Sequence, residues 1–399
     1  MQITEVKTKQ DIKDFHLVPK IVYKNDKIWV CQLENEIENI FSPNTNIFFK
    51  NGEAIRWVLR DDEGNLIGRV AAFINKNKAF NYAQPTGGMG FFECVDDKEA
   101  ANKLFYQCEN WLMERGMQAM DGPINFGEND NYWGLLVEGF THPGIGMQYN
   151  PPYYQQFFED YGFKFYFEQV TNQLDLTVPF PERFWKIADW IRQKPIYSFE
   201  HINLKEADRF IDDFKTIYDT AWQFHENFTP IDKEMLKRTI LNAKDVIDEE
   251  FIWFAYQEGQ PIAFLIMFPD VNQILKHLNG KLHLWNKLKF LYFKKKNTMT
   301  RARITIMGVV PQFQKSGIES GIFWHLDQVM KRKPWYTELE LSWVGDFNPK
   351  MRALHESVGA KFAKKHITYR KLFKEETDYQ RSIIIPKDTK EKFVKGEEK

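Results

Sequence analysis

The residues best suited to chemistry lie between Arg303 and Ile322, where an apolar run is interrupted at Gly308 and Pro311 and a turn of small residues follows. The run predicts a buried strand, and the residues after Gly317 predict a helix that begins at the turn. Such a turn presents unpaired backbone N–H groups at the positive end of a helix dipole, which is what a pyrophosphate needs. An ordinary strand-to-helix connection would show the same glycines, so this alternative stays open.

Three titratable side chains downstream of the turn are candidates for proton transfer. The ordinary pKa of a histidine, about 6.5, would let His355 act in either protonation state at neutral pH. Glu340 alternates with Leu339 and Leu341, so we expect it on the opposite side of the sheet from the two leucines. Asp346 stands at the C-terminal end of the same strand, where α/β sheets collect ligands. Two alternatives stay open: His355 as an exposed helix residue, and Asp346 as a helix cap or salt-bridge partner.

The elements that must position these residues occur twice in the chain. The segment from Glu159 to Phe165 matches the segment from Glu356 to Phe362 at four of seven positions, an offset of 356 − 159 = 197. Two predicted β-hairpins begin at Trp57 and Trp253, an offset of 253 − 57 = 196. Two matches in the same order with nearly the same offset indicate a duplicated lobe.

The sequence therefore predicts a mixed α/β protein of two tandem lobes, each with a mainly antiparallel sheet flanked by helices. We expect the first lobe at 1–178, the second at 179–376 and a charged tail at 377–399, because Pro179 and Pro181 interrupt the pattern. The first lobe carries a stretch rich in Gly, Pro and Asn at 121–152, which predicts an ordered loop with no regular element. Asn125 and Tyr132 in it could reach a substrate, or the loop could be purely structural.

In the second lobe the pattern predicts alternating strands and helices. The expected strands are 197–204, 251–268 as a hairpin, 303–310, 338–344 and 361–373, and the expected helices are 205–222, 232–247, 317–331 and 349–358.

Composition narrows the class of protein. The chain has 54 basic and 55 acidic residues, so no global charge draws it toward nucleic acid. Its three cysteines are not closely paired and no histidines stand at metal-ligand spacing, so we expect no metal and a reducing compartment, the cytoplasm. No segment has the length of a signal peptide's apolar region or of a membrane span. Oligomeric state is left open.

The turn and the order of elements around it resemble the GNAT superfamily of acyl-CoA-dependent N-acyltransferases. In that family a loop of pattern Gln/Arg-x-x-Gly-x-Gly/Ala binds the CoA pyrophosphate, and in this sequence Glu319 replaces the last small residue. A carboxylate beside a diphosphate is repulsive. The resemblance implies acetyl-CoA or another acyl-CoA as cofactor, and a first lobe that has lost the loop and supports the second. The implied pyrophosphate contacts are Gln314, Lys315, Ser316, Gly317, Ile318 and Ser320.

The same resemblance assigns roles around the second lobe's last helix. The family pattern Asn-x-x-Ala-x-x-Leu-Tyr-x-x-x-Gly places an asparagine at the pantetheine arm and a tyrosine that protonates the leaving thiolate. Asn348 matches the first, whereas His355 occupies the position of the tyrosine. Backbone N–H groups near Met307 and Val309 would polarise the thioester carbonyl.

A group of bacterial tandem GNAT-like proteins is similar to this sequence from Thr4 to Phe373. The resemblance implies transfer of an acyl group, most simply acetyl, to a small-molecule or peptide amine. Two alternatives stay open: a catalytically silent ligand-binding protein, and a Fem-type aminoacyl transferase, against which the neutral charge argues weakly. The candidate substrate contacts are His225, Glu226, Asn125, Tyr132, Asp270, Asn272, Ser342 and Trp343.

A basic run from Lys287 to Arg303 is interleaved with aromatic and aliphatic residues. It could rest on an anionic membrane surface or meet the 3′-phosphate of CoA. A solvated helix face is the plainer alternative.

Overall fold

The computed structural model describes residues 1–128, 131–223, 228, 230–243, 247–374 and 378–382. The chain divides into two compact units. Unit 1 consists of Met1–Val170, Asn272–Lys296 and Lys364–Ser382, and unit 2 contains Thr171–Val271 and Asn297–Ala363. The first unit thus ends near the predicted boundary at 178, but two later segments also belong to it.

The strands are distributed over both units and are numbered in chain order. They are β1 (Gln2–Glu5), β2 (Gly52–Arg60), β3 (Leu66–Asn75), β4 (Thr86–Cys94), β5 (Ala119–Gly122), β6 (Leu135–Glu138), β7 (Lys164–Asp175), β8 (Tyr197–His201), β9 (Ile252–Gln257), β10 (Gln260–Pro269), β11 (Arg301–Val309), β12 (Glu338–Glu340), β13 (Val344–Gly345) and β14 (Lys361–Leu372).

The α-helices cover the sheets and the connections. They are α1 (Lys9–Val22), α2 (Glu34–Ile40), α3 (Lys76–Ala79), α4 (Lys98–Met113), α5 (Tyr154–Asp160), α6 (Glu182–Arg192), α7 (Ala207–Trp222), α8 (Lys233–Ala243), α9 (Asn272–Leu275), α10 (Leu284–Lys295), α11 (Ile318–Arg332) and α12 (Pro349–Ser357).

The two units repeat one strand order. In unit 1 the order is β1-β2-β3-β4-β5-β14, and β6 also pairs with β14. In unit 2 the order is β8-β9-β10-β11-β12, and the end of β7 pairs with β12. In each unit the fourth strand of this order is antiparallel to the third and parallel to the fifth, as β4 is to β3 and β5, and β11 to β10 and β12. The duplication predicted from two matching segments is therefore present in the topology.

The hairpins that revealed the repeat form for local reasons. In unit 2, Glu258 and Gly259 have φ angles of 48° and 81° and join β9 to β10 in a two-residue turn, the left-handed geometry that matches strand twist. In unit 1, the Asp61 carboxylate accepts from two backbone N–H groups of the β2–β3 turn, at 3.0 and 2.8 Å. Trp57 and Trp253 are both buried, which fixes the register of each hairpin.

Aromatic side chains make up much of both cores. In unit 1 the rings of Phe92 and Phe105 stack with centroids 4.7 Å apart beneath α4. In unit 2, α7 packs on β10 through Phe214 and Phe264, whose centroids are 4.5 Å apart. Each unit thus has a hydrophobic core of its own.

Two features differ from the sequence prediction. The stretch 121–152 is not free of regular structure, because β6 lies within it and pairs with β14 through Leu135 and Ile367. Helix α6 follows the proline pair at 179–181 and was not predicted; it buries Phe184, Ala188 and Ile191 on one face. A short strand between glycine-rich turns has too few residues for its alternation to be recognised.

Candidate functional site

Strands β11 and β12 of unit 2 separate after a short parallel contact. Their pairing covers only Arg301 to Arg303 on β11, which continues to Val309. Strand β12 instead stays with the end of β7, because the Leu341 N–H donates to the Asn172 carbonyl at 2.9 Å. Past Arg303, no other strand of the described residues pairs with this edge of β11.

The backbone of β11 directs N–H donors into the space where β11 and β12 separate. Val310 donates its N–H to the carbonyl of Ile262, on the β10 side, at 2.9 Å. Because N–H groups alternate between the two edges of an antiparallel strand, those of Val309 and Met307 point to the opposite edge. The Val309 carbonyl on that edge accepts from the Gln314 amide at 3.3 Å. The two residues that the sequence selected for carbonyl polarisation thus have their N–H groups on the open side.

Many backbone N–H groups of the turn between β11 and α11 already donate to acceptors within the turn. The N–H groups of Gln314, Ser316 and Ser320 each donate to the carbonyl three residues earlier, at 3.3, 3.2 and 2.9 Å. Those of Lys315 and Gly317 have no acceptor among the residues that the structure describes. The Ile318 N–H also has an acceptor, the Ser316 hydroxyl, so the expectation of a continuous fan of open amides from 314 to 320 is wrong for at least four of its members.

Gly317 is the N-cap of α11 and adopts a φ of 84°, in the left-handed region. A Cβ at this position would lie 2.4 Å from Cγ2 of Ile187 on α6, so only glycine fits without a shift. Ile318 follows and is buried, and its N–H reaches the Ser316 hydroxyl at 3.4 Å. The glycine of the predicted motif is required by the turn itself.

Glu319 lies in the first turn of α11 and is half-buried. Burial raises the pKa of its carboxyl above the ordinary value, while the residue's own backbone N–H acts in the opposite direction. One carboxylate oxygen is buried and has no hydrogen-bond partner among the described residues. The side chain thus lies at the helix N-terminus, and its repulsion of a diphosphate there stays a prediction.

His355 lies on α12 and is buried, which excludes the exposed-residue alternative. Its Nδ1 is 3.1 Å from the Asn172 amide nitrogen. Burial lowers the pKa of His355 to about 4, so the imidazole is neutral at pH 7. The predicted role of protonated acid is therefore wrong; when the Asn172 amide donates to Nδ1, the neutral ring presents Nε2–H as a hydrogen-bond donor.

Glu340 is buried and lies 3.0 Å from Nε of Arg303. Its neighbours Leu339 and Leu341 are buried as well, so both faces of β12 are covered. Alternation correctly separated the glutamate from the leucines but could not reveal a buried cation on its side of the sheet. A carboxylate held this way is a poor general base, and the structure does not support that prediction.

The segment between β12 and α12 contains four of the predicted site residues. Asn348 is the N-cap of α12, and its Oδ1 accepts from the Met351 N–H at 3.3 Å. Asp346 is half-buried in the preceding turn, and the N-cap residue of α12 is Asn348 two positions later. Ser342 and Trp343 are half-buried where β12 ends. Strand β12 ends at Glu340, four residues before the predicted end at 344, so these residues follow the strand rather than extend it.

Asp270 is fully buried, and its Oδ2 accepts from Nε and Nη2 of Arg301, at 2.9 and 2.6 Å. Its carboxylate is thus engaged within unit 2. Arg301 and Arg303 both lie on β11 with buried side chains in ion pairs, so they do not belong to an exposed basic face. The predicted basic run therefore divides into an exposed part before 297 and a buried part after 300.

The corresponding strand edge of unit 1 is closed. Strand β4 pairs with β5 only from Thr86 to Gly88. Beyond that point the Cys94 N–H donates to the Tyr154 hydroxyl at 2.7 Å, and its carbonyl accepts from Tyr153 at 2.9 Å. Two tyrosine hydroxyls thus occupy the edge that stays open in unit 2, which agrees with the expectation of a degenerate first lobe.

Sequence analysis missed Glu93, a buried carboxylate on β4. Its Oε2 accepts from the hydroxyls of Tyr23 and Tyr154 at 2.8 and 2.9 Å, and its Oε1 lies 3.7 Å from Arg69. Burial raises the pKa of Glu93 to about 7, although the arginine and the two tyrosines lower it. An acid placed in an apolar strand pattern, GGMGFFEC, was the available signal.

Glu93 lines a cavity of unit 1 whose empty volume, including space open to solvent, is about 490 Å³. Two predicted substrate contacts, Tyr132 and Asn272, line the same cavity. The Asn272 amide nitrogen donates to the carbonyls of Pro143 and Gly144 at 3.1 and 2.9 Å, so it also anchors the loop. The cavity combines a titratable acid with aromatic walls, an arrangement suited to a small polar or cationic group.

The remaining predicted contacts are less informative. Asn125 is half-buried, and its Oδ1 is buried with no partner among the described residues. His225 and Glu226 lie outside the residues that the structure describes. Within the described part of the chain there is no group of three or more His, Cys, Asp or Glu side chains that could hold a metal. No helix there is long and apolar enough to cross a bilayer.

Comparison with known proteins finds relatives along nearly the whole chain. The bacterial ceramide synthase of Caulobacter vibrioides (strain NA1000 / CB15N) is 29% identical over 383 residues, which cover 93% of this chain and 97% of the relative. Protein YghO of Escherichia coli (strain K12) is 28% identical over 375 residues, covering 91% and 93%. No family model matches the chain.

A solved structure identifies the fold. The tandem GNAT protein from the clavulanic acid biosynthesis pathway superposes with a TM-score of 0.57 at 8% identity, covering 94% of this chain and 99% of that protein. This chain therefore has the fold of tandem GNAT proteins, with two lobes of mixed α/β structure. The fold class drawn from the sequence is confirmed.

Proposed function

We propose that the protein is an acyl-CoA-dependent N-acyltransferase whose acceptor is the amine of a long-chain amino alcohol. The observation that supports it most is the divergence of β11 from β12, which leaves the N–H groups of Met307 and Val309 facing an open edge in unit 2. In a GNAT fold this edge suits the pantetheine arm of CoA. The closed edge at Cys94 in unit 1 supports unit 2 as the lobe that binds the cofactor.

The cofactor's diphosphate would lie at the N-terminus of α11. The open N–H groups of Lys315 and Gly317 and the helix dipole supply positive potential there. The Glu319 carboxylate must turn away from this site, or bind as its neutral acid, before a diphosphate can enter. Burial favours the neutral form, and this lowers the electrostatic cost of binding.

The chemistry is a direct transfer. The neutral amine nitrogen attacks the thioester carbonyl carbon, the C–N bond forms, and the C–S bond breaks. The proton lost by the amine ends on the CoA thiolate through solvent, so an amide and free CoA are the products. The N–H groups at Met307 and Val309 would stabilise the oxyanion, and the neutral His355 would donate a hydrogen bond from Nε2 to the leaving sulfur.

The acceptor class comes from the relatives. Ceramide is the amide of a fatty acid with a long-chain amino alcohol, and a protein named bacterial ceramide synthase matches both lobes at 29% identity. We therefore place a long-chain acyl-CoA ahead of the acetyl-CoA first expected. The three buried, unpaired cysteines suit a reducing compartment such as the cytoplasm, where acyl-CoA thioesters occur.

The test is a product assay with the full-length protein. Palmitoyl-CoA or acetyl-CoA is incubated with sphinganine, with spermidine or without acceptor, and free thiol and amide product are measured. We expect amide only with palmitoyl-CoA and sphinganine. Amide from acetyl-CoA and spermidine would refute the acceptor and acyl class while keeping acyl transfer. Absence of thiol release with every pair would refute the transferase.

Two charge-reversal variants test the cofactor site. Lys315 and Lys361 are both exposed lysines of unit 2, but only Lys315 lies in the turn before α11. Lys315→Glu places a second carboxylate beside the diphosphate, so we expect a KM for acyl-CoA about tenfold higher, whereas Lys361→Glu should match wild type. Equal KM values for wild type and both variants would show that the turn before α11 does not bind the cofactor.

A silent ligand-binding protein remains the second candidate, because the turn's amides are partly occupied and Glu319 covers the helix N-terminus. Calorimetry with a non-hydrolysable palmitoyl-CoA thioether separates the two. Binding without any turnover on sphinganine favours the silent protein, and binding with turnover favours the enzyme.

A further inference from the structure

Helix α10 in unit 1 presents an unusual outer surface. Leu284 and Trp285 are each 71% exposed, and three further large apolar side chains on the helix are about half exposed or more. Large apolar side chains exposed singly are common, but five on one twelve-residue helix form a patch. The five are Leu284, Trp285, Leu288, Leu291 and Tyr292.

These five side chains share one face. At 3.6 residues per turn their positions fall within about 120° of the helix circumference. The opposite face is fixed to the unit: Asn286 is buried and donates to the carbonyls of Leu278 and Lys281 at 2.9 and 2.7 Å. Phe293 stacks on His277 with ring centroids 4.8 Å apart. The apolar face therefore points away from its own unit.

Lysines border this face on both sides. Lys287 and Lys294 fall along one border, Lys289 and Lys296 along the other, and Lys295 stands at the C-terminal end. No acidic residue stands anywhere between Asp270 and Glu319 in the sequence. The patch thus places positive charge around an apolar centre.

We propose that α10 docks the protein on the surface of an anionic phospholipid bilayer, with the apolar face in the acyl boundary and the lysines among the headgroup phosphates. An interfacial helix has this arrangement of apolar face and lysine borders, with an aromatic residue near the boundary. Charge complementarity selects anionic lipid over a second copy of this basic helix, which would be repelled. Docking requires no turnover, so this inference stands apart from the proposed transferase activity.

The test is sedimentation of the full-length protein with vesicles. One set is pure phosphatidylcholine and the other is phosphatidylcholine with about one quarter phosphatidylglycerol. We expect binding to the anionic set that weakens with added salt, and little binding to the neutral set. Equal partition into both sets, or none into either, would overturn the proposal.

Exposed positions allow variants that keep the fold. Lys287→Gln with Lys289→Gln should weaken partition about 30-fold, because each surface lysine contributes about fivefold. Trp285→Ser with Leu288→Ser should weaken it at least as much, since both side chains enter the acyl boundary. The matched control is Tyr106→Ser, an exposed aromatic on α4 of the same unit, which should bind as wild type does.

Depth distinguishes insertion from electrostatic adsorption. The three native cysteines are buried, so Leu288→Cys can be labelled selectively with an environment-sensitive fluorophore. Anionic vesicles should shift its emission to the blue, and brominated acyl chains should quench it; the same label at Tyr106→Cys should respond to neither. If the label at 288 shows neither a blue shift nor quenching on vesicle-bound protein, the apolar face does not enter the membrane and the proposal is overturned. The proposal is also overturned if the wild-type protein is a dimer that Trp285→Ser with Leu288→Ser dissociates, because the face would then bind a second copy.

Discussion

Replacing Glu93 with glutamine should remove the part of the pH dependence of unit 1's stability that comes from this carboxyl. The folded-state pKa is about 7 and the ordinary value is 4.5, because burial between Tyr23, Tyr154 and Arg69 outweighs their favourable contacts. Its contribution to stability is therefore fully present below about pH 4.5. The contribution is lost as the pH rises through 7, since ionisation is easier in the unfolded chain.

The size of the effect follows from the shift. A difference of 7 − 4.5 = 2.5 pH units corresponds to about 3 kcal/mol of unfolding free energy at about 1.4 kcal/mol per unit. Glutamine has the same shape and does not titrate. Between pH 4.5 and pH 8 the wild type should therefore lose about 3 kcal/mol of unfolding free energy relative to Glu93→Gln.

The assay is urea unfolding of the whole chain across that pH range, with hydrogen exchange of peptides from β4 reporting unit 1. Glu114→Gln is the matched control, because the Glu114 side chain is 74% exposed. Its difference from wild type should stay flat. A flat difference for Glu93→Gln as well would mean that the carboxyl is ionised in the folded protein throughout, and the reasoning from burial would be refuted.

Three further predictions concern unit 2. Glu340→Gln should destabilise the protein by about 3–5 kcal/mol in urea unfolding, because it removes the carboxylate that lies 3.0 Å from the buried Arg303 guanidinium, and a double change of both residues to leucine should recover much of the loss. The ring proton signals of His355 should keep the neutral chemical shift from pH 7 to pH 5, and protonation near pH 6.5 would contradict its burial. Stability should correspondingly fall as the pH drops from 6.5 toward 4. Gly317→Ala should lower the melting temperature more than Gly64→Ala, because both glycines have φ above 80° but only the first Cβ meets a neighbour.

Much of the fold could be predicted from the sequence because its signals are local. The hairpins at Trp57 and Trp253 combine strand-forming runs with glycine turns, and these signals need no knowledge of distant residues. The glycine at 317 marks a left-handed cap, again a local requirement. Where neighbours along the chain determine the structure, the prediction and the structure agree.

The candidate site could be predicted only in part, because protonation and accessibility depend on distant neighbours. Alternation placed Glu340 opposite two leucines, but the cation beside it comes from β11. A histidine on an amphipathic helix was compatible with either face, and the structure buries His355 against Asn172. The basic run from Lys287 to Arg303 is likewise continuous in the sequence but not in the structure, because Lys287 lies on an exposed helix and Arg301 lies in a strand.

The late position of β14 affects how the protein is made. Unit 1 needs Lys364–Ser382 to complete its sheet, and Asp121 of β5 is paired by Arg370 at 2.6 and 2.7 Å. A nascent chain on the ribosome has produced almost all of unit 2 before that arginine appears. Until Arg370 has been synthesised, the first lobe therefore has an unfinished sheet edge and an aspartate without its arginine partner. Fragments that stop near residue 178 should consequently aggregate.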